Sequence, residues 1–281
     1  MNWEFLDGRR APTFLLTAVA ALILGAASTT WASQDAPIDE DAADSSLSCP
    51  EGTTAAVAKA LHFAGSPDFW LEGFFIACRL DPDHPDRAIV ALTYVPGEER
   101  TGKTHQGDTA YERDLDIAII DLSNDKIIAH RHEDKSIWDG GERFERIAID
   151  TGRYVLAPGK RAFGLRVSNG THCSCANVSY TNLTLYLRSG NRLDRLASTS
   201  VYNDRAGYEK DTAPPAVCTS VATLSTTTVA VGRSKNHGLA DLELMTTETP
   251  SYDFDEDSSQ CPRLSATRRR ATLHYDGNIY K

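Results

Sequence analysis

His130 and His132 stand two residues apart in His130-Arg131-His132-Glu133-Asp134. On an extended strand that spacing turns both imidazoles to one face. Two imidazoles so placed can share a zinc ion, and a metal-activated water would make the site a metal-dependent hydrolase. Such a site needs a third ligand, which His105, His237 or a remote carboxylate could supply. The competing reading is a polar strand end at the rim of a hairpin, which needs no ligand.

Other segments match chemical signatures less well. Gly97 to Thr104 fits the phosphate-loop pattern, but that loop must open onto a helix N-terminus. The residues after Thr104 carry no apolar stripe, and Ile117 follows too soon for a helix and a return. We read a hydrophilic loop and no nucleotide site. Asp253, Asp255 and Asp257 alternate as in a calcium loop, yet Ser258 stands where glycine is expected and Leu264 where the bidentate Glu belongs. That segment reads as a solvated acidic loop. No Gly-x-Ser-x-Gly elbow occurs, and His172 beside Cys173 would point away from it on a strand. Arg268, Arg269 and Arg270 read as a charged strand edge that resists aggregation. The sequence points to no catalytic residue and no cofactor, with zinc at His130 and His132 or calcium at the acidic loop as the alternatives.

The elements that would carry these residues are mostly strands. Thr53 to Phe63 has partial helical spacing and is stopped by Gly65-Ser66-Pro67, so one short N-terminal helix is expected. Arg87 to Val95 is an apolar run ending at Pro96-Gly97. Asp114–Leu122 and Lys126–His132 flank Ser123-Asn124-Asp125 and predict a hairpin. Arg146–Asp150 and Arg161–Ser168 are two further strands, with Ala157-Pro158-Gly159 between them. Tyr180–Leu187 and Arg192–Ser198 form a second hairpin, Val217–Val231 and Leu239–Thr247 a third, and Arg270–Tyr275 turns back at Asp276-Gly277. Leu183, Leu185 and Leu187 alternate with Thr184, Tyr186 and Arg188, the pattern of a strand with one buried face. Fold class is therefore mostly β, an antiparallel sandwich or barrel-like arrangement.

Arg9 and Arg10, the apolar stretch Phe14 to Ala27 and the small residues Ser28 to Ser33 have the plan of a secretory signal peptide, with 1–32 removed. The apolar run falls short of the roughly 18 residues a membrane span needs. Residues 33–48 read as a disordered acidic linker. Residues 49–281 read as one β-rich domain, or two packed subdomains with a break near 205–216. Localisation is expected to be periplasmic or secreted, not membrane-embedded after cleavage.

Net charge is −10, but Asp35, Asp39, Glu40, Asp41, Asp44, Asp253, Asp255, Glu256 and Asp257 account for nearly all of it. The acidity belongs to two segments and argues against a nucleic-acid partner. All six cysteines follow the cleavage site, and export would let them oxidise. We expect Cys218 with Cys261 and Cys49 with Cys78. Cys173 and Cys175 remain, although a bond within Cys-x-Cys is strained.

Four segments carry a family likeness: Ala77 to Leu92, Asp114 to Asp121, Tyr154 to Val167, and Leu273 to Tyr280. They resemble an uncharacterised family of exported proteobacterial proteins with no assigned activity. The resemblance implies export and a β fold and carries over no catalytic residue. The expectation is a non-enzymatic exported binding protein, an inhibitor or immunity-type partner of an envelope-acting enzyme. The alternative is the hydrolase at His130 and His132.

Overall fold

A computed structural model describes residues 49–64, 75–97, 111–139, 143–173, 176–207, 221–252 and 263–281. The described residues belong to one compact unit. Among the described residues, one short helix, α1 (Thr53–Ala60), precedes eleven strands. These are β1 (Phe75–Asp81), β2 (His84–Tyr94), β3 (Tyr111–Asp121), β4 (Lys126–Asp139), β5 (Arg143–Ala157), β6 (Lys160–Cys173), β7 (Ala176–Ser189), β8 (Arg192–Gly207), β9 (Val221–Asn236), β10 (Leu239–Tyr252) and β11 (Thr267–Leu273). The expected class, mostly β with one short helix, holds. The strands form a large mixed sheet that does not close into a barrel and is consistent with a sandwich-like fold.

Strand order runs β1-β2-β3-β4-β8-β7-β6-β5, with β9 pairing β8 and β10, and β11 pairing β10. Among the described residues, every pairing is antiparallel except β4 with β8, a single parallel bridge between His130 and Arg192. Backbone contact at that junction is completed by the His130 amide, which donates to the Asn191 carbonyl at 3.1 Å.

Turn chemistry places the hairpins where the sequence suggests. Asp121 accepts from the Ser123 backbone at 2.9 Å, and Asn124 accepts from the Lys126 amide at 3.0 Å. Asp125 takes φ of 55°, a left-handed conformation that Asp and Asn tolerate better than most residues. The β7–β8 and β9–β10 hairpins pair as expected. The C-terminal turn closes with a Tyr275–Tyr280 bridge and reciprocal backbone bonds between His274 and Lys281. Strand β1 is not anticipated by the sequence reading. β5 runs on through Thr151 and Gly152 by means of a register shift between Asp150 and Tyr154, beyond the expected end at Asp150.

Alternation along the strands builds three apolar layers. The inner face of β1–β4, with Ile89, Leu115, Ile117 and Ile119, packs on Ile149, Phe163, Leu165 and Tyr186 from β5–β7. The opposite face of β5–β8, with Leu156, Leu183, Leu185 and Leu196, is covered by Leu239 and Leu242 of β10 and by Tyr280. On the outer face of β2–β3, Ala88, Val90, Ala118 and Ile120 receive Val57 of α1.

The layering corrects the reading of β7. Leu183 and Leu185 are buried, and so is Tyr186 on the other face, at 1 % exposed. A strand covered on both sides tolerates a polar alternate only where that residue finds a partner. Thr184 pairs with Ser198 at 3.1 Å, and Tyr186 stacks on Phe163.

Cys49 and Cys78 form the expected disulfide, fastening the segment before α1 to β1. Cys218, Cys261 and Cys175 lie outside the described residues, as does the side chain of Cys173, so the other pairings fall there too. The same holds for residues 98–104 of the phosphate-loop pattern, the Asp253–Asp257 loop and residues 1–48. Among the described residues, no helix is long and apolar enough to cross a membrane.

Candidate metal centre

β3 opens with polar residues on the face that further along is apolar. Ala118 and Ile120 lie in the layer under α1, and two residues back on the same face stand Asp116 and then Asp114. Both carboxylates are buried, Asp116 at 4 % exposed and Asp114 at 8 %. A carboxylate so far from water needs partners. His132 pairs across from Asp116 and His130 across from Ala118, so both imidazoles share this outer face with the two carboxylates.

Asp116 organises the cluster. Its Oδ1 lies 2.6 Å from Nε2 of His130 and 3.2 Å from Nδ1 of His132. Its Oδ2 accepts a hydrogen bond from the Tyr94 hydroxyl of β2. Burial by itself would raise the Asp116 pKa. The His130 and Tyr94 hydrogen bonds and the attraction of both histidines outweigh it and hold the carboxyl below its ordinary value.

His132 is held from both sides, since its Nε2 lies 3.0 Å from Oδ1 of Asp134. Desolvation opposes its protonation, but the Asp134 bond and the Asp116 charge prevail and raise its pKa. With a carboxylate at each nitrogen, the metal-free ring is fully paired only as the imidazolium.

A bulge brings Asp114 into reach. Pairing shifts between Arg113 and Leu115, leaving extra residues on β4, and Lys135 takes φ of 48°. The Lys135 amide donates to Asp114 Oδ1 at 2.8 Å, which fixes that carboxylate against the distorted strand. One donor atom each from Asp114, His132 and Asp134 then lies within 4.8 Å of the others.

This arrangement changes the expected role of the two histidines. His132 faces two further donors, whereas His130 turns its Nε2 onto Asp116 and stands outside that group. The third donor is a carboxylate. His237 occupies the β9–β10 turn beside Gly277, and His105 lies outside the described residues. Glu133, the neighbour of His132, points to the opposite face, where its carboxylate meets Arg131 at 2.5 Å and Arg195 at 3.6 Å. Asp114 and Asp116 escaped the sequence reading. Their signal was two carboxylates alternating at the start of an otherwise apolar strand.

Chemically, the grouping suits a divalent ion seated among one ring nitrogen of His132 and the carboxylates of Asp134 and Asp114. An imidazole and two carboxylates are a donor set compatible with zinc. Nδ1–H of His132 would keep its bond to Asp116, the carboxylate–histidine–metal relay that fixes a ligating ring. On the same face Trp138 pairs across from Glu112 and is 54 % exposed.

Comparison of the chain with protein-family models, with curated proteins and with solved structures found no match. None of these comparisons supports the likeness to exported proteobacterial proteins.

Proposed function

We propose that this chain is a non-enzymatic exported binding protein that holds a divalent metal ion on the outer face of β3–β4 and meets a protein partner of the cell envelope, as an inhibitor or immunity-type protein does. The observation that carries the reading is the His132 ring, held by Asp116 at Nδ1 and by Asp134 at Nε2, with one donor atom each from His132, Asp134 and the buried Asp114 within 4.8 Å of one another. Export is supported by the Cys49–Cys78 disulfide, a bond that persists in oxidising compartments. A partner surface is supported by Trp138, since exposed tryptophan is a favoured anchor at interfaces.

Metal analysis of the purified protein after zinc loading tests the proposal. One zinc per chain is expected, lost in His132→Ala and kept in His130→Ala. A folded protein that takes up no zinc, cobalt or manganese overturns it.

The hydrolase reading is favoured by one observation: three protein donors leave coordination positions open for water, the count that catalytic zinc sites use. Against it, the cleft lined by residues such as Arg87 and Phe163 includes none of the three donors. Zinc-dependent turnover of ester, peptide or phosphoester substrates, abolished by His132→Ala, would replace the binding reading with the catalytic one.

A further inference from the structure

Towards the far end of β3 from Asp114, the β1–β2, β5–β6 and β7–β8 turns surround a cleft of about 390 Å³. That volume lies within the lower part of the range for small-molecule sites. Its apolar lining includes Ile89, Ile119 and Phe163 from the layer between the two inner faces, with Leu187 from the opposite face of β7. Its rim carries Arg87, Lys160, Arg161 and Arg188 against only two carboxylates, Asp81 and Asp83. In a chain of net charge −10 this is a local excess of the opposite sign.

The rim cations are not equivalent. Arg161 is committed to the fold, since it holds Asp83 at 2.6 Å and the Thr151 carbonyl at 2.7 Å. That pair also neutralises Asp83. Arg188 spends only its Nε, on the Gly190 carbonyl at 3.0 Å. Lys160 and Arg188 make no ion pair among the described residues. Arg87 is the most telling. Its Nε is buried and has no hydrogen-bond partner. Asp121 feels the Arg87 charge but does not satisfy that donor. A buried charged donor without an acceptor is destabilising, and the side chain that carries it lines the cleft.

We propose that this cleft binds a small amphipathic anion. A carboxylate or phosphate head sits against Arg87, Lys160 and Arg188, and a short apolar chain lies on Ile89, Ile119 and Phe163. The site is separate from the β3–β4 metal centre and does not depend on it. Head and body are both required, because the cations alone are solvated and the apolar lining alone is small.

Calorimetric titration of the full chain with octanoate, octyl phosphate, octyltrimethylammonium and inorganic phosphate tests this. One of the two amphipathic anions is expected to bind saturably at one per chain, and the tighter of them identifies the head group. The cationic analogue and inorganic phosphate should bind at least about tenfold more weakly. Arg87→Met should weaken the anion by at least about tenfold while leaving the melting temperature equal or higher, since it removes an unsatisfied donor. The turn variant Lys160→Glu/Arg188→Glu should lose binding similarly without touching the core. Failure of both anions to saturate, equal affinity for octyltrimethylammonium, or unchanged affinity in both variants overturns the proposal. Zinc uptake through His132 is read separately, so either site can fail alone.

Discussion

His132 turns Nδ1 to within 3.2 Å of the buried carboxylate of Asp116, and this contact orients the ring so that its other nitrogen points to Asp134. Asp116 is thus a positioning residue and not a ligand. Asp116→Asn keeps the shape but loses the charge. It should lower zinc affinity by about 10- to 100-fold, the usual effect of removing a carboxylate behind a ligating histidine. Competition with a chromogenic chelator measures it, and an unchanged affinity would remove Asp116 from the site.

Asp241 gives the clearest dependence on acid. Its carboxylate is fully buried and accepts from Ser234 at 2.6 Å and Asn236 at 2.8 Å, with His274 at 3.0 Å. The Ser234 and Asn236 bonds lower its pKa below the ordinary 3.8 and outweigh burial. A depressed folded-state pKa contributes stability above pH 3.8 that is lost as pH falls through the folded value. Melting temperature should therefore drop more steeply below pH 3.8 in the wild type than in Asp241→Asn. Parallel curves would show that this carboxylate does not govern acid unfolding.

The disulfide closes a loop of 29 residues in sequence separation. Cross-linking a loop of that size restricts the unfolded chain by on the order of 3–4 kcal/mol in the entropic account. Cys49→Ser/Cys78→Ser should lower the urea-derived stability by about that amount, with the loss felt first where Val57 packs on β2 and β3. A change under about 0.5 kcal/mol would mean that the helix holds its place without the bond.

Gly164 of β6 lies close against the Leu183 side chain of the neighbouring strand β7. A methyl group there would come within 2.5 Å of Cδ1 of Leu183 and 3.1 Å of Cβ of Asp150. Leu183 is 1 % exposed and has little room to retreat. Gly164→Ala should cost about 1–3 kcal/mol through overpacking. Chemical denaturation checks this, and a neutral result would show that β7 can shift.

Strand identity and turns were largely legible because each depends on local pattern. Ser123-Asn124-Asp125 and Asn236-His237-Gly238 carry their turn chemistry in their own side chains. The one-sided reading of β7 failed for a non-local reason, since Tyr186 is an amphipathic residue whose ring can be buried when a second sheet covers it. The metal cluster was half legible. His130 and His132 share a face by strand period, but period alone cannot say that Asp116 meets both rings while His132 alone also reaches Asp134. Asp114 joins only through the bulge at Lys135, a backbone irregularity with no strong residue signature.

The lone parallel bridge at His130 has a mechanical consequence. The β1–β4 half and the β5–β8 half of the sheet are stitched by backbone at one residue, and that residue's ring grips Asp116. Any breathing of the sheet along this seam strips the His130 amide of its acceptor on Asn191 before it disturbs the long hairpins on either side. A cation held beside Asp116, as proposed, would act as a rivet next to the weakest stitch, and slower solvent exchange at that single amide is where the tightening would first be felt.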